Sequence, residues 1–258
     1  LEHRLTEAKL RFFTDISHEL RTPLTLIEGP LSEVLADEKL PEADREYLTV
    51  VQTNAHRMLN LINQILDFRK IQNEKMRLLV EKLNVRESLE AIMENFENIA
   101  RQHRIDFRLE MGADDVYVWA DRDKFEKIFV NIISNAFKYT PPGKTITVRV
   151  KSDDENVVVA VQDQGVGIQP SKVAMLFQRF DTILQDNIYQ QSTGIGLSLV
   201  KQLVDLHHAR IDVQSEEGVG STFEVSFPVG KTHLEDDERV EFLMNDDIGV
   251  DGSPDDAD

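Results

Sequence analysis

Four short constellations in this chain combine residue types that can do chemistry. The first is Phe13-Thr14-Asp15-Ile16-Ser17-His18-Glu19-Leu20-Arg21-Thr22-Pro23-Leu24. An imidazole becomes a nucleophile when one ring nitrogen is unprotonated and a base takes the proton from the other. Glu19, directly after His18, is a suitable base. The second runs from Asn131 to Thr140 and contains Asn131, Asn135 and Lys138 at i, i+4 and i+7, on one helical face. Two carboxamides and an ammonium suit a metal-bound polyphosphate, with oxygens for Mg²⁺ and a point charge for phosphate. The third is Asp163-Gln164-Gly165-Val166-Gly167-Ile168, after an expected strand. The fourth is Thr193-Gly194-Ile195-Gly196-Leu197, before an expected helix. Glycines let a backbone approach a ligand closely, and a helix N-terminus favours phosphate.

Each constellation alone has a plainer reading. A single exposed histidine is usually a surface residue, and a polar helix face is usually solvated. Asn is a poor helix former, so two of them inside a helix weigh against that plain reading. Gly218 and Gly220 are explained by a hairpin turn without a ligand. No G-x-x-x-x-G-K-[ST] occurs, and neither G-x-G is completed by a third glycine, so P-loop and Rossmann readings fail.

The elements that must hold these residues follow from periodicity. Phe13, Ile16, Leu20, Leu24, Ile27, Leu31 and Val34 form a near-heptad seam. After an acidic, Pro-containing break at 36–42, Leu48, Val51, Ala55, Met58, Ile62 and Ile65 repeat the spacing. The spacing predicts an antiparallel hairpin, and two such hairpins make a four-helix bundle, so a homodimer is expected. The alternative is an intrachain coiled coil docked on the rest of the chain. At about 100° per residue, His18 faces away from Phe13, Ile16 and Leu20, toward solvent. Pro23 and Pro30 fall inside the first helix, where bends are expected.

Beyond residue 75 the pattern mixes strands and helices. Strands are expected near 76–83, 105–111, 116–119, 145–151, 156–162, 210–215 and 221–227. Helices are expected over 85–102, from an Asp121 N-cap to Tyr139, over 170–177, and over 196–208. Residues 182–193 are polar and aperiodic, as a mobile loop would be. The expected architecture is a helical hairpin over 1–75, an α+β sandwich over 76–230 with helices layered on a sheet, and an acidic tail or linker over 231–258.

Composition sets limits. The chain has 258 residues and no cysteine, which removes disulfides, thiol nucleophiles and Cys-ligated metals. Its formal net charge is -18. Residues 231–258 hold eleven acids against Lys231 and Arg239, so half of the excess lies there. Such a surface repels phosphate backbones, which disfavours nucleic acid as a partner. No aliphatic run is long enough to cross a bilayer. The charged opening residues are unlike a signal peptide, and the absence of an initial Met suggests an excised fragment.

In this order, the four constellations resemble the catalytic core of the sensor histidine kinases of two-component signalling, over residues 12–228. They look like the family's H box, N box and two glycine boxes, with an F box at 177–180. The run from Gly194 through Val204, with Leu206-His207-His208 and Gly220-Ser221-Thr222-Phe223, is similar to the hybrid sensor kinases of Bacteroides-type bacteria. The resemblance implies an ATP-binding domain of the histidine kinase, chaperone and topoisomerase type, and ATP with Mg²⁺ as cofactors. It implies His18 as phosphoacceptor, Glu19 as its acid/base partner, and Thr22 as a residue that positions water for dephosphorylating the partner. It places Asn135 on Mg²⁺ with Asn131 in support, Lys138 on phosphate, and Tyr139 along the adenine pocket. Asp163 would accept from the adenine amine, Gly165 and Gly167 would open the pocket floor, and Gly194, Gly196 and Leu197 would shape the lid's phosphate end. The implied partners are a second copy of the chain and a receiver domain, separate or in the same longer protein. The implied setting is the cytoplasmic part of a sensor anchored in a membrane through an upstream segment. Where many members have one more glycine before Gly194, this chain has Gln191-Ser192-Thr193, which implies a stiffer lid. A signalling module that binds ATP but rarely phosphorylates itself is opposed by the intact His18-Glu19 and Asn131/Asn135. An ATP-driven clamp is opposed by the hairpin carrying His18.

Overall fold

Two long helices open the chain: α1 spans Glu2–Leu35 and α2 spans Glu42–Gln72. The computed structural model describes residues 2–37, 39–73, 75–177 and 195–243, with side chains from Glu19 onward except Phe68, Gln72 and Ile195. The expected lid at 182–193, Gly194, and the F box beyond Phe177 lie outside the described residues. α1 runs through both Pro23 and Pro30. The helices lie antiparallel, in a register fixed by polar contacts. Arg21 Nη2 donates to Asn63 Oδ1 at 2.7 Å, Glu28 pairs with His56, and Gln52 Nε2 donates to Ser32 Oγ at 3.0 Å. Arg45 of α2 donates to the carbonyls of Leu35 and Asp37 at 2.5 and 2.7 Å, satisfying acceptors that the end of α1 leaves open.

The seam divides by heptad position. Leu24 and Leu31 on α1, and Ala55 and Ile62 on α2, are buried inside the hairpin. Leu20, Ile27 and Val34, with Val51 and Met58 opposite, stay 40–48% exposed. Each set repeats every seven residues, so the hairpin closes one row and leaves the other facing outward.

The rest of the chain builds two sheets. β1 (Leu78–Asn84) pairs antiparallel with β3 (Tyr117–Asp121) and parallel with β8 (Val240–Phe242). The larger sheet has the order β2-β4-β5-β7-β6, from Asp106–Glu110, Thr145–Ser152, Asn156–Asp163, Gly220–Pro228 and Arg210–Glu216. Alternating residues of its central strands, such as Ile146, Val148, Val159, Val161, Val225 and Phe227, are fully or nearly fully buried. Helices α5 (Arg122–Tyr139) and α7 (Ile195–Leu206) share that core through Phe125, Phe129, Ile132, Leu199 and Leu203. Asp121 caps α5, its Oδ1 accepting from Lys124 N at 3.1 Å.

Three expectations change. The helix expected over 85–102 is two, α3 (Val85–Glu94) and α4 (Glu97–His103). Asn95 turns its carboxamide onto the Ala91 carbonyl, and Phe96 stacks on Phe137 at 5.4 Å. The helix expected over 170–177 is α-helical only over Pro170–Val173 (α6). Beyond it, Met175 and Leu176 bond three residues back, which is a tighter turn. The stretch after 231 was expected as an acidic tail or linker, yet its described part is folded. Thr232–Leu234 is a 3₁₀ turn with Leu234 fully buried, and Val240–Phe242 is β8. Its charges serve the fold: Asp237 accepts from Arg239 and pairs with His208, and Arg239 and His208 together hold its carboxyl far below the usual range. Among the described residues no helix is long and apolar enough to cross a membrane.

Candidate active site

α5 presents the polar face expected of it. Ile132, Ile133 and Ala136 are buried on one side, while Asn131, Asn135, Lys138 and Tyr139 border a cleft of 780 Å³. Asn131 is fixed at both ends of its carboxamide: Nδ2 donates to the Lys127 carbonyl at 2.7 Å, and Oδ1 accepts from Gln64 Nε2 at 3.3 Å. Gly196, in the first turn of α7, lies over this amide. A Cβ there would come within 2.8 Å of Asn131 Oδ1, so the glycine allows the approach. Leu197 borders the cleft beside it. The Lys138 ammonium lies 5.2 Å from the centroid of the Tyr139 ring.

Asp163 ends β5 at the other side of the cleft. It is 7% exposed, and Oδ1 accepts from Gly165 N at 2.8 Å and Ser221 N at 3.3 Å. Burial pushes its carboxyl above the ordinary range, outweighing the two amides that favour the charged form. Gly165 sits behind Asp163 rather than on the cleft wall, and a Cβ there would meet Asp163 Oδ1 and the Tyr139 carbonyl at 2.6 Å. Gly167 does border the cleft, but its requirement is backbone packing. It has φ +68°, and a Cβ would sit 1.9 Å from the Glu216 carbonyl at the end of β6.

The hairpin supplies a wall that the sequence reading missed. Thr53, Arg57, Asn60 and Gln64 of α2 line the same cleft, and Asp67 continues the stripe with an ion pair to Lys127 Nζ at 2.9 Å. Burial disfavours the Lys127 ammonium, but Asp67 and Asp123 outweigh it and raise its pKa. The signal was present: these positions repeat at 4-3-4-3 along α2, the same spacing as the apolar seam but on another face.

His18 lies on α1, with its side chain outside the described set. The register that pairs Arg21 with Asn63 carries His18 level with Leu66, between Gln64 and Asp67. Thus the α5 end of the cleft docks on the hairpin at the height of His18. Glu19 and Thr22 are both exposed there.

The donors fit a nucleotide with a hard cation. Among the described residues no three His, Cys, Asp or Glu side chains converge. A cation here would therefore take carboxamide oxygen and oxygens of the nucleotide itself, which suits Mg²⁺.

Comparison with known proteins agrees with this arrangement. The His Kinase A (phospho-acceptor) domain family matches residues 8–74. The histidine kinase-, DNA gyrase B- and HSP90-like ATPase family matches residues 120–231. The chain is 39% identical over 249 residues to histidine kinase P4 of Formosa agariphila, covering 95% of this chain and 18% of that protein. It is 35% identical over 229 residues to sensor histidine kinase TmoS of Ectopseudomonas mendocina, covering 88% of this chain and 23% of that protein. Full-length ShkA solved with AMPPNP has the same fold, with a TM-score of 0.68 over 84% of this chain and 45% of that one at 24% identity. The chain carries the catalytic core of the sensor histidine kinases, a phospho-acceptor domain followed by an ATPase domain. It spans about a fifth of the length of these two curated relatives.

Proposed function

We propose that this chain moves the γ-phosphoryl group of ATP to a ring nitrogen of His18, and from there to an aspartate of a receiver domain. The observation that carries this reading is the cleft where Asn131, Asn135, Lys138 and Asp163 converge, docked on the hairpin at the height of His18. Asp163 accepts from the adenine amine, with Tyr139 along the base and Lys138 on phosphate. Gly196, Leu197 and, by resemblance, Gly194 shape the phosphate end. Mg²⁺, held by Asn135 with Asn131 in support, supplies charge neutralisation on the polyphosphate.

Glu19 takes the proton from one imidazole nitrogen as the other forms its bond to the γ-phosphorus. The bond from that phosphorus to the β,γ-bridging oxygen breaks, and its electron pair leaves with ADP. Thr22, one turn from His18, orients water for hydrolysis of the receiver's aspartyl phosphate, which releases inorganic phosphate and restores the aspartate. The unit boundaries are 1–75 for the hairpin and 76 onward for the ATP-binding part. The outward apolar row of Leu20, Ile27, Val34, Val51 and Met58 supports a homodimer with a four-helix bundle. In the full-length protein the core is cytoplasmic, on a membrane-anchored sensor, with the receiver separate or in the same chain.

Incubation with γ-labelled ATP should give acid-labile, base-stable phosphate on the chain. His18→Ala should abolish it while ATP still binds. Thr22→Ala should spare incorporation and slow receiver dephosphorylation, and Glu19→Gln should do the opposite. Undiminished incorporation in His18→Ala would overturn the reading.

A further inference from the structure

His207 is fully buried and takes no part in the chemistry above. It directly follows α7, and both ring nitrogens are committed. Nδ1 meets the Leu203 carbonyl at 2.7 Å, and Nε2 meets the Asp121 backbone N–H at 3.1 Å. A carbonyl can only accept and an amide N–H can only donate. The ring must therefore carry its proton on Nδ1 and keep the Nε2 lone pair. Burial, the largest influence, holds His207 below its usual pKa, in this neutral form. Its ring edge packs on Phe227, with centroids 6.1 Å apart.

The place of this bond matters more than its strength. Asp121 caps α5 and also takes the Leu79 amide on Oδ2 at 2.9 Å, so β1, α5 and α7 meet at one point. α5 and α7 run antiparallel. Asp121 to Asn131 is ten residues on one helix, about 15 Å, and His207 back to Gly196 is eleven on the other, about 16.5 Å. The two helices are thus matched at both ends: His207 on Asp121 at one, Gly196 over Asn131 at the other. Between these ends Phe125 and Ile128 of α5 and Leu199 and Leu203 of α7 lie in one apolar core. Apolar packing has no direction and permits a slide; a hydrogen bond does not.

We propose that His207 is a positioning residue for the kinase: its bond to the Asp121 amide sets the register of α7 on α5, and so sets Gly196 over Asn131 at the phosphate end of the cleft. This rests on the nucleotide-site reading above.

The test compares His207→Gln with His207→Asn in the full chain, with His207→Leu as a third variant. A Gln carbonyl reaches the place of Nε2 and can accept from Asp121. An Asn amide reaches only the place of Nδ1 and keeps the Leu203 contact. Two quantities are read: KM and kcat for Mg-ATP in autophosphorylation, and backbone hydrogen exchange of nucleotide-free protein around Gly196 and Asn131. Gln should stay near wild type. Asn and Leu should raise KM about tenfold, the scale of one lost buried hydrogen bond, with kcat nearly kept. Both should also speed exchange at Gly196, about 16.5 Å from the change. Equal KM and equal exchange in Gln and Asn would overturn the proposal, as would a Leu variant that loses only melting temperature. The exchange measurement needs no ATP. A wild type that binds no nucleotide would therefore refute the site reading and leave the register test decided on its own.

Discussion

Replacing Asp67 by Ala should tighten nucleotide binding, although Asp67 lies on the hairpin. Two polar contacts join α2 to α5: Asp67 with Lys127 at 2.9 Å and Gln64 with Asn131 at 3.3 Å. The second occupies an oxygen that the proposed Mg-nucleotide site uses, so docking and loading compete. At 2.9 Å the Coulomb term is about 6 kcal/mol at an effective dielectric of 20, and about 1.4 kcal/mol in water. Lys127 is 37% exposed and keeps Asp123 at 3.1 Å after the substitution, so the lower end applies. About 1 kcal/mol, or a factor of about five, is then lost from docking. In a chain docked about nine parts in ten, the open fraction rises from about 0.1 to about 0.36, and apparent affinity improves about 3.5-fold. Gln64→Ala added to Asp67→Ala should go further. Calorimetric titration with a non-hydrolysable ATP analogue reads the effect. Raising salt should narrow the gap between wild type and Asp67→Ala, because screening weakens the same pair. Unchanged affinity would refute the competition, and weaker affinity would show α2 to be a supporting wall of the nucleotide site.

Three further outcomes are expected. Burial raises the Asp163 pKa, so its ionised form costs the folded state, and stability falls as pH rises from the ordinary carboxylate value through the raised one. Asp163→Asn should therefore melt higher at pH 7 while losing nucleotide affinity about a hundredfold, as for a hydrogen bond to a charged acceptor; thermal melts and titrations decide both. Leu234→Ala should cost about 3 kcal/mol in urea unfolding, because its side chain is fully buried; a loss below about 0.5 kcal/mol would return residues 232–243 to the status of a solvated tail. Ile27→Glu with Met58→Glu should halve the mass in light scattering and keep helical content, if the outward row forms the proposed four-helix bundle; an unchanged mass would overturn that role for the row.

What could be read from sequence was whatever repeats locally. The seams of α1 and α2, the Asp121 cap and the shared face of Asn131, Asn135 and Lys138 all follow from helical spacing, and the structure has them. The break between α3 and α4 was hidden because Leu89, Ile92, Phe96 and Ala100 keep one helical rhythm, while Phe96 turns to stack on Phe137. The role of Gly167 was hidden because its neighbour, the Glu216 carbonyl, is distant in sequence. The tail was misread from its charge: Leu234, Val240 and Phe242 are scattered among acids, and Asp237 is held by Arg239 and His208 rather than by water. The α2 stripe was legible as spacing, but only the docked cleft shows what it faces.

The pairing of Leu78 with Val240 joins residues 162 positions apart, and it completes the small sheet on the side of β1 away from β3. Such a contact forms late, because the loop it closes is nearly the length of the ATP-binding part. During synthesis, β1 therefore leaves the ribosome with one edge unpaired, and that edge stays open until residues 240–242 follow. An open edge bearing Leu78 and Val80 is a template for another chain. β8, the last strand among the described residues, is thus the one that ends the period in which β1 is exposed to wrong pairing.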